Sequence, residues 1–516
     1  MTDPRADAAP APQEAPRPVR GDGGRRPTSR PAAMLVIVVV VAAVLLVVGL
    51  GLRGAADGPD AASLHASVPS LSPAATAGAS GVAGAGPASP PASASPSRVP
   101  GASPPSSPAA ASAGRIAIAD VGGALSIVDA RGGSPVSLAV PGVGFGHPAW
   151  SPDGTHVAVI GTGHDTTAIY EFDVSGTTAG GPARPIILYS SADNAPFYLY
   201  WSPDGRRVAF LANAGGGISL RIANADGSPP RDGPAGDGVI REGAPLYFEW
   251  ESADRLLLHV GAGATAFTGE VGLDGADTGH SIPGTGDFRT AMASADGRYR
   301  AYVQGEQGIA ELVMAPRDGA SPQRLPVFGP AAFAFDPVGT TLASIAAADP
   351  VASPATFPLG PLRLLDAGTG TARTLVAGLV VGFYWSPDGR TIAALRLAPA
   401  GGPSAGVPAV PAVAIGARPQ AAASPPPTLE VHLTFVDVVT GQVRSDRVIR
   451  VGDDFVSTIL PYFDQYALSH RVWAPDSSAI VLPLIDANGH TRVVVLGADG
   501  ADATPVADAT SASWSP

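Results

Sequence analysis

The sequence contains no cysteine and no lysine, since all 32 of its basic residues are arginine. The absence of cysteine excludes disulfides, thiolate zinc sites, iron–sulfur clusters, cysteine nucleophiles and a lipidated cysteine. The absence of lysine excludes Schiff-base chemistry and the phosphate-binding lysine of a P-loop. An arginine-only composition is typical of GC-rich coding DNA, so we assign no selected role to it.

Features of a helix-rich protein are also scarce. The 64 glycines and 54 prolines would break most helices, whereas valine, isoleucine, leucine, phenylalanine and tyrosine recur in short runs. This composition favours many short strands joined by turns. The net charge is −12, and residues 1–31 carry more arginines than acidic residues, so the rest of the chain is acidic. We therefore expect no nucleic-acid partner.

One long apolar run stands apart, from Ala32 to Leu52, where 21 residues carry no charged or polar side chain. As a helix this run spans about 31 Å, which matches the hydrocarbon core of a bilayer. Arginines dominate its N-terminal flank, so the positive-inside rule predicts a single-pass cell-membrane protein with a cytoplasmic N-terminus and an extracytoplasmic remainder. The alternative is a signal peptide that is cleaved at the small residues Gly54–Ala56.

These features divide the chain into four regions. Residues 1–31 are predicted to form a disordered, basic cytoplasmic tail, and residues 32–52 a transmembrane helix. Residues 53–113 consist mainly of alanine, serine, proline and glycine, which cannot bury a core and therefore predict a disordered linker. Residues 114–516 form the folded domain, within which 399–427 is a low-complexity insertion.

A repeated motif is the strongest signal in the folded domain. WSPDG occurs three times and WAPDS once, each between two strand-like apolar runs. All six tryptophans occupy the same position of this repeat, whose usual spacing of about 41 to 51 residues fits one four-stranded blade. The residues that we assign to the repeat as structural positions are Trp150, Asp153, Gly154, Trp201, Asp204, Gly205, Trp250, Trp385, Asp388, Gly389, Trp473, Asp476 and Trp514.

The chemistry of the motif predicts a strand-to-strand corner. Proline presets φ near −65°, aspartate accepts turn hydrogen bonds, and glycine takes the positive φ at the exit. The tryptophan offers a large planar surface that can pack between neighbouring sheets. We therefore predict that the motif builds the fold rather than an active site, and that the fold is an all-β propeller of four-stranded blades.

Two incomplete pieces lie at the ends of the folded domain. Residues 115–140 read as three strands of a blade that lacks its first strand, and 510–516 read as one strand without a blade. Each completes the other, so we predict that the C-terminal strand closes the ring and removes exposed sheet edges. This gives eight blades, and seven or nine are alternatives because the interval from Trp385 to Trp473 is unusually long.

With these motifs in view, residues 115–516 resemble the WSPDG-containing, WD40-like propellers of TolB-type proteins and of prolyl-oligopeptidase-like enzymes. The resemblance implies the fold, whereas such propellers serve as interaction scaffolds, binding modules or gating domains. No segment after residue 115 shows the alternating helices and parallel strands of a hydrolase domain. The linker also leaves no room for the separate N-terminal domain of TolB-type proteins, so the resemblance is confined to the propeller.

Motifs for catalysis and metal binding are weak. The one GxSxG match, Gly402–Gly406, lies in the insertion and lacks the strand-to-helix context of a nucleophile elbow. We predict no catalytic residue, metal site or cofactor. The candidate binding segment is PYFDQYALSH, Pro461 to His470, which combines aromatic and polar groups just before a blade. Its predicted contact residues are Tyr462, Phe463, Asp464, Tyr466 and His470; in the alternative interpretation the segment plugs the ring with its own aromatics.

Together these signals predict a membrane-anchored, extracytoplasmic propeller that is not an enzyme. We expect it to act as a binding or scaffold module for a protein, a peptide or an envelope glycan. One alternative is a metal-dependent hydrolase or lyase with its site at the channel mouth. Another is an extracytoplasmic sensor domain.

Overall fold

The computed structural model describes residues 114–130, 134–176, 185–262, 266–282, 291–306, 309–337, 339–347, 357–397, 429–500 and 503–516. The predicted tail, transmembrane helix, linker and insertion lie outside these residues. Among the described residues, no helix is both long and apolar enough to span a membrane. This part of the chain is all-β, with one short helical segment between its last two blades.

The strands follow one another closely and are mostly five to eight residues long, as the composition predicts. They are β1 (Arg115–Ala119), β2 (Leu125–Asp129), β3 (Val136–Leu138), β4 (Gly144–Trp150), β5 (His156–Thr162), β6 (Thr167–Asp173), β7 (Ile186–Ser191), β8 (Pro196–Trp201), β9 (Arg207–Ala214), β10 (Gly217–Asn224), β11 (Val239–Gly243), β12 (Leu246–Ser252), β13 (Arg255–Val260), β14 (Phe267–Gly272), β15 (Asp277–Ser281), β16 (Met292–Ala293), β17 (Tyr299–Glu306), β18 (Ile309–Pro316), β19 (Gln323–Phe335), β20 (Thr341–Ala347), β21 (Gly360–Asp366), β22 (Ala372–Trp385), β23 (Thr391–Leu397), β24 (Glu430–Asp437), β25 (Val443–Arg450), β26 (Ala479–Ile485), β27 (Thr491–Gly497), β28 (Thr504–Ala507) and β29 (Ser511–Trp514).

Antiparallel pairing groups these strands into eight blade-like units. Two long strands, β19 and β22, each form the outer strand of one blade and, after a register shift, the inner strand of the next. Trp473 supplies a single bridge, to Ile480, where the last blade lacks a full inner strand. The blades are β29 with β1–β3 (blade 1), β4–β7 (blade 2), β8–β11 (blade 3), β12–β15 (blade 4), β16–β19 (blade 5), β19–β22 (blade 6), β22–β25 (blade 7) and the Trp473 bridge with β26–β28 (blade 8).

The ring is closed by the strand that the sequence predicts. β29 pairs antiparallel with β1, with Trp514 opposite Ile116 and Ser511 opposite Ala119. The backbone N–H of Arg115 also donates to Ser515 Oγ at 3.0 Å. Blade 1 is therefore built from both ends of the described chain, which leaves no unpaired inner edge on β1.

The WSPDG corners have the predicted turn chemistry. At the first corner the Gly154 N–H donates to the Ser151 carbonyl at 3.0 Å, and Gly154 has φ of 70°. Asp153 Oδ1 accepts hydrogen bonds from the Ser151 hydroxyl and the Thr155 N–H, and the Ser151 bond above all lowers the pKa of Asp153 to about 2. The same serine-to-aspartate bond, at 2.6 Å, recurs at Asp204 and Asp388. These aspartates are therefore engaged in turns.

The tryptophans tie neighbouring blades together, in addition to packing between them. In five of the six tryptophans, all except Trp514, the indole Nε1 donates to a backbone carbonyl of the preceding blade, one residue before the equivalent repeat position there. We call these bonds the tryptophan latches. They are Trp150 to Ser513 (2.9 Å), Trp201 to Ala149 (3.1 Å), Trp250 to Tyr200 (3.1 Å), Trp385 to Ala334 (3.2 Å) and Trp473 to Tyr384 (3.0 Å).

The junction between blades 4 and 5 is built differently, because blade 5 has Ala293 where most blades have tryptophan. The Ala293 N–H donates instead to Glu249 Oε2 at 3.2 Å. Nearby, the buried Arg300 of blade 5 bonds Glu251 and Glu270 of blade 4. We call this junction the polar seam, since charged groups replace the tryptophan latch there.

Glu249 makes the polar seam sensitive to pH. Burial raises the pKa of Glu249 to about 8, so folding favours the protonated carboxyl, and the stability that this provides is lost as the pH rises from about 4.5 towards 8. We expect Glu249→Gln to be more stable than the wild type at pH 7.5 by about 3 kcal/mol, and nearly equal to it at pH 4.5. Thermal unfolding at both pH values measures this. Glu242→Gln, at an exposed position, is the control; a Glu249→Gln variant with no gain at pH 7.5 contradicts the assignment.

Candidate functional site

The aromatic stretch picked out from the sequence is helical rather than an extended loop. A π-helical turn (Phe455–Ile459) and a 3-10 turn (Leu460–Tyr462) lead into α1 (Phe463–Ser469). Pro461 lies in the first turn of the 3-10 segment, where its missing N–H has no helical partner to lose. We call residues 453–470 the plug.

The plug lies at the centre of the ring. Helix α1 contacts the inner strands β8, β12, β19 and β22. The Phe463 ring lies edge-on to Phe383 of β22 at 5.2 Å, and the Tyr466 ring edge-on to Tyr198 of β8 at 5.3 Å. Leu468 packs against the core that blades 5 and 6 share. One short helix therefore buries its apolar side chains against several blades at once.

The inner strands around the plug carry β-bulges. The register shifts occur at His147–Pro148 in β4, at Phe197 in β8, between Phe328 and Ala332 in β19, and at Val381 in β22. A bulge bends a strand and redirects a side chain, and bulges are common beside functional sites. His147 also has φ of 55°, a left-handed conformation that costs a non-glycine residue energy. Four of the inner strands that surround the plug therefore depart from regular pairing.

Hydrogen bonds anchor the buried end of the plug. His470 Nε2 lies 3.1 Å from the His147 carbonyl, which can only accept, so Nε2 carries the proton. His470 Nδ1 then accepts from the Ser469 hydroxyl at 2.7 Å. Burial, and next the neighbouring His147, lower the pKa of His470 to about 3, so this imidazole is neutral. Tyr198 OH adds a bond to the Gln465 carbonyl at 2.9 Å.

The structure separates the five predicted contact residues into two groups. Phe463, Asp464, Tyr466 and His470 are buried in the ring, as the plug interpretation requires. Tyr462 has 41% of its surface exposed and lies with its ring 6.3 Å from that of Tyr247. A ligand-binding role stays a prediction for all five, but Tyr462 is the member of the set that a partner can reach without displacing the plug.

Two further exposed apolar residues lie where inner strands begin, at the same end of the ring as Tyr462, whose ring is near Tyr247 at the start of β12. Phe197 is 39% exposed and adjoins Tyr198, which contacts the plug directly. Leu379 is 48% exposed and precedes Gly382, which packs against Leu460 and Phe463. We call Tyr462, Phe197 and Leu379 the plug face. Exposed aromatic and aliphatic groups of this kind suit recognition of a partner.

A small cavity lies beneath the plug, with a volume of about 20 Å³, and it is lined by His147, Tyr384, His470 and Ser511, among others. His147 Nε2 lies 4.0 Å from Asp454 Oδ2. The residue types of a hydrolase triad are therefore present, with Asp454 beside His147 and Ser511 on the wall of the same cavity. A cavity of this size holds about one water molecule, whereas small-molecule binding sites have volumes of about 300 to 1,000 Å³.

Metal and catalytic signals add nothing to this site. In the described part of the chain, no group of three or more His, Cys, Asp or Glu residues is arranged to hold a metal ion. The GxSxG match lies in the insertion, outside the described residues.

Sequence reasoning missed His147, Tyr384 and Ser511, which belong to no motif. The one available signal was Pro148, since proline inside a strand marks a bulge and so singles out the adjacent histidine.

No protein-family model and no curated protein matches this chain. Among solved structures it is similar to TolB from Acinetobacter baumannii, at 14% identity over 78% of this chain and 67% of that one, with a TM-score of 0.34. It is similar to apo AztD from Citrobacter koseri at 13% identity, over 77% of this chain and 96% of that one, with a TM-score of 0.43. It is also similar to a prolyl endopeptidase at 10% identity, with a TM-score of 0.45, over 72% of this chain but 50% of that one. These structures include TolB and prolyl endopeptidases, the two groups that the WSPDG repeats resemble, while the fold itself is established by the sheets and their closure.

Proposed function

We propose that this chain is a membrane-anchored, extracytoplasmic propeller that binds a protein, a peptide or an envelope glycan through its plug face. The observation that carries the proposal is the plug itself. Because the plug occupies the centre of the ring, a partner is recognised on the outside of the plug end rather than inside a channel. Tyr462, Phe197 and Leu379 provide the exposed apolar groups there.

The anchoring half of the proposal is supported by the sequence. The apolar run from Ala32 to Leu52 has the length of a bilayer-spanning helix, and the arginines on its N-terminal flank favour a cytoplasmic N-terminus. Residues 53–113 then act as a spacer between the membrane and the propeller. In this arrangement the linker lets the propeller reach partners some distance from the bilayer.

Photo-crosslinking in intact cells tests both halves. A photoreactive phenylalanine analogue replaces Tyr462 in the full chain, and we expect a discrete crosslinked product in the membrane fraction. The control places the same analogue at Val439, which is 82% exposed. Its neighbour Val438 donates its N–H to the Arg390 carbonyl, which places Val439 at the WSPDG-corner end of blade 7. If Tyr462 anchors the partner, Tyr462→Ala weakens binding of the partner so identified by roughly 30-fold or more, whereas Val439→Ala leaves it unchanged. Equal crosslinking at both positions contradicts a specific plug face.

A further inference from the structure

Three residues that line the small cavity beneath the plug come from three different blades, and each carries a buried polar side-chain atom. These atoms are His147 Nδ1 on β4, Tyr384 OH on β22 and Ser511 Oγ on β29. None of the three has a hydrogen-bond partner among the described residues. Tyr384 and Ser511 are each only 4% exposed. A buried polar group without a partner is costly, so three of them on residues that line one cavity indicate a ligand.

The size and the chemistry of the cavity define that ligand. Its volume of about 20 Å³ exceeds the roughly 10–15 Å³ that one water molecule needs and leaves no room for a larger molecule. Each of the two hydroxyl groups can donate and accept, and the imidazole nitrogen donates or accepts according to its tautomer, so a neutral partner that both donates and accepts suits them. An ion would have to shed its hydration shell among the apolar side chains of Val472 and Val481, which also line the cavity.

We infer that this cavity is an internal binding site for a single water molecule, which is held by His147 Nδ1, Tyr384 OH and Ser511 Oγ. The water joins the inner strands of blades 1, 2 and 7 beneath the plug. The left-handed backbone of His147 is part of the bulge in β4, and this bulge places the His147 imidazole at the cavity. The site is a property of the fold and is independent of the proposed partner binding.

Deleting one of the hydroxyl groups tests whether the three polar groups share a water molecule or are each unpaired, because the unfolding midpoint changes in opposite directions in the two cases. Deleting a hydroxyl that has no partner relieves a cost and raises the unfolding midpoint, whereas deleting one that binds a resident water lowers it. Ser511→Ala is therefore expected to lower the thermal midpoint of the full chain in detergent, by on the order of 2 °C. Tyr384→Phe is expected to act in the same direction.

β29 supplies a matched control in Ser513, which is buried, has an unpartnered Oγ and does not line the cavity. Ser513→Ala is expected to leave the midpoint unchanged or to raise it. Losses in Ser511→Ala and Tyr384→Phe together should be less than additive, because both hydroxyls share one water. A Ser511→Ala variant with an unchanged or raised midpoint overturns the inference, as do equal losses in Ser511→Ala and Ser513→Ala or strictly additive losses in the double variant.

Discussion

A chain that lacks residues 509–516 is expected to unfold at a much lower temperature than the full chain, by on the order of 10 °C. The deletion removes β29, so β1 keeps β2 but loses its partner strand on the inner side, and the core of blade 1 loses the buried Trp514. It also removes the Ser513 carbonyl, which accepts the Trp150 indole N–H and thereby links blade 2 to blade 1. Circular dichroism during heating of the full-length and shortened chains measures the difference.

Removal of Pro516 alone is the control for this deletion, since Pro516 is exposed and lies beyond the last strand. We expect that variant to keep the wild-type midpoint. The shortened chain should also bind a dye for exposed apolar surface, because the inner edge of β1 and the face of blade 8 become accessible. An unchanged midpoint after the eight-residue deletion would falsify closure of the ring by β29.

The second large effect is expected at the polar seam, where Arg300→Met should destabilise the protein by about 3 kcal/mol. Arg300 donates to both carboxylate oxygens of Glu251, at 2.7 and 2.8 Å, and it also bonds Glu270. The side chain of Glu270 is fully buried. Without Arg300, Glu251 keeps Arg317 and Glu270 keeps Arg255, but both of these arginines are partly exposed. The two buried side chains lose the cation that they share, and the cost of this lost charge compensation exceeds the value of the original ion pair. Chemical denaturation at pH 7 measures the loss.

An exposed ion pair provides the matched control. Arg324 and Glu311 lie 2.7 Å apart with more than 40% of each side chain exposed, so Arg324→Met should change stability by less than about 0.5 kcal/mol. If the loss in Arg300→Met arises from reduced charge compensation of the two buried glutamates, adding Glu270→Gln should recover part of it. Equal effects of Arg300→Met and Arg324→Met would show that the network does not join blades 4 and 5.

The repeat allowed most of the fold to be predicted from the sequence, because its chemistry is local. A proline, an aspartate and a glycine at fixed spacing determine a turn whatever surrounds them, and Gly154 and Asp153 adopt that turn. Closure was predictable for a different reason. Residues 115–140 supply three strands of a blade that lacks its first strand, and residues 510–516 supply one strand without a blade, so pairing the two pieces completes one blade. The role of the tryptophans was predicted only in part. Their packing between sheets follows from the size of the indole group, whereas the carbonyl that accepts the indole N–H depends on how neighbouring blades are arranged.

The candidate site was less predictable because its chemistry comes from distant residues. His147, Tyr384 and Ser511 lie far apart in the sequence, and each looks like an ordinary strand residue until the ring brings them together. The plug was recognisable as unusual but not as a helix, since a segment of seven residues gives little periodicity to read. Burial in the ring, rather than intrinsic propensity, makes that segment helical.

The contact between Arg115 and Ser515 spans 400 residues of sequence, whereas each tryptophan latch except that of Trp150 joins blades that follow one another along the chain. Blades can therefore assemble one after another during synthesis. Closure of the ring requires β29, and bringing the two ends of the chain together carries a large entropic cost. Until then the molecule is an open arc whose β1 edge accepts any free copy of that strand. β29 can pair with β1 of its own chain or with β1 of another chain, and a higher concentration of protein favours the second. Newly made chains at high local concentration are therefore expected to form strand-swapped dimers.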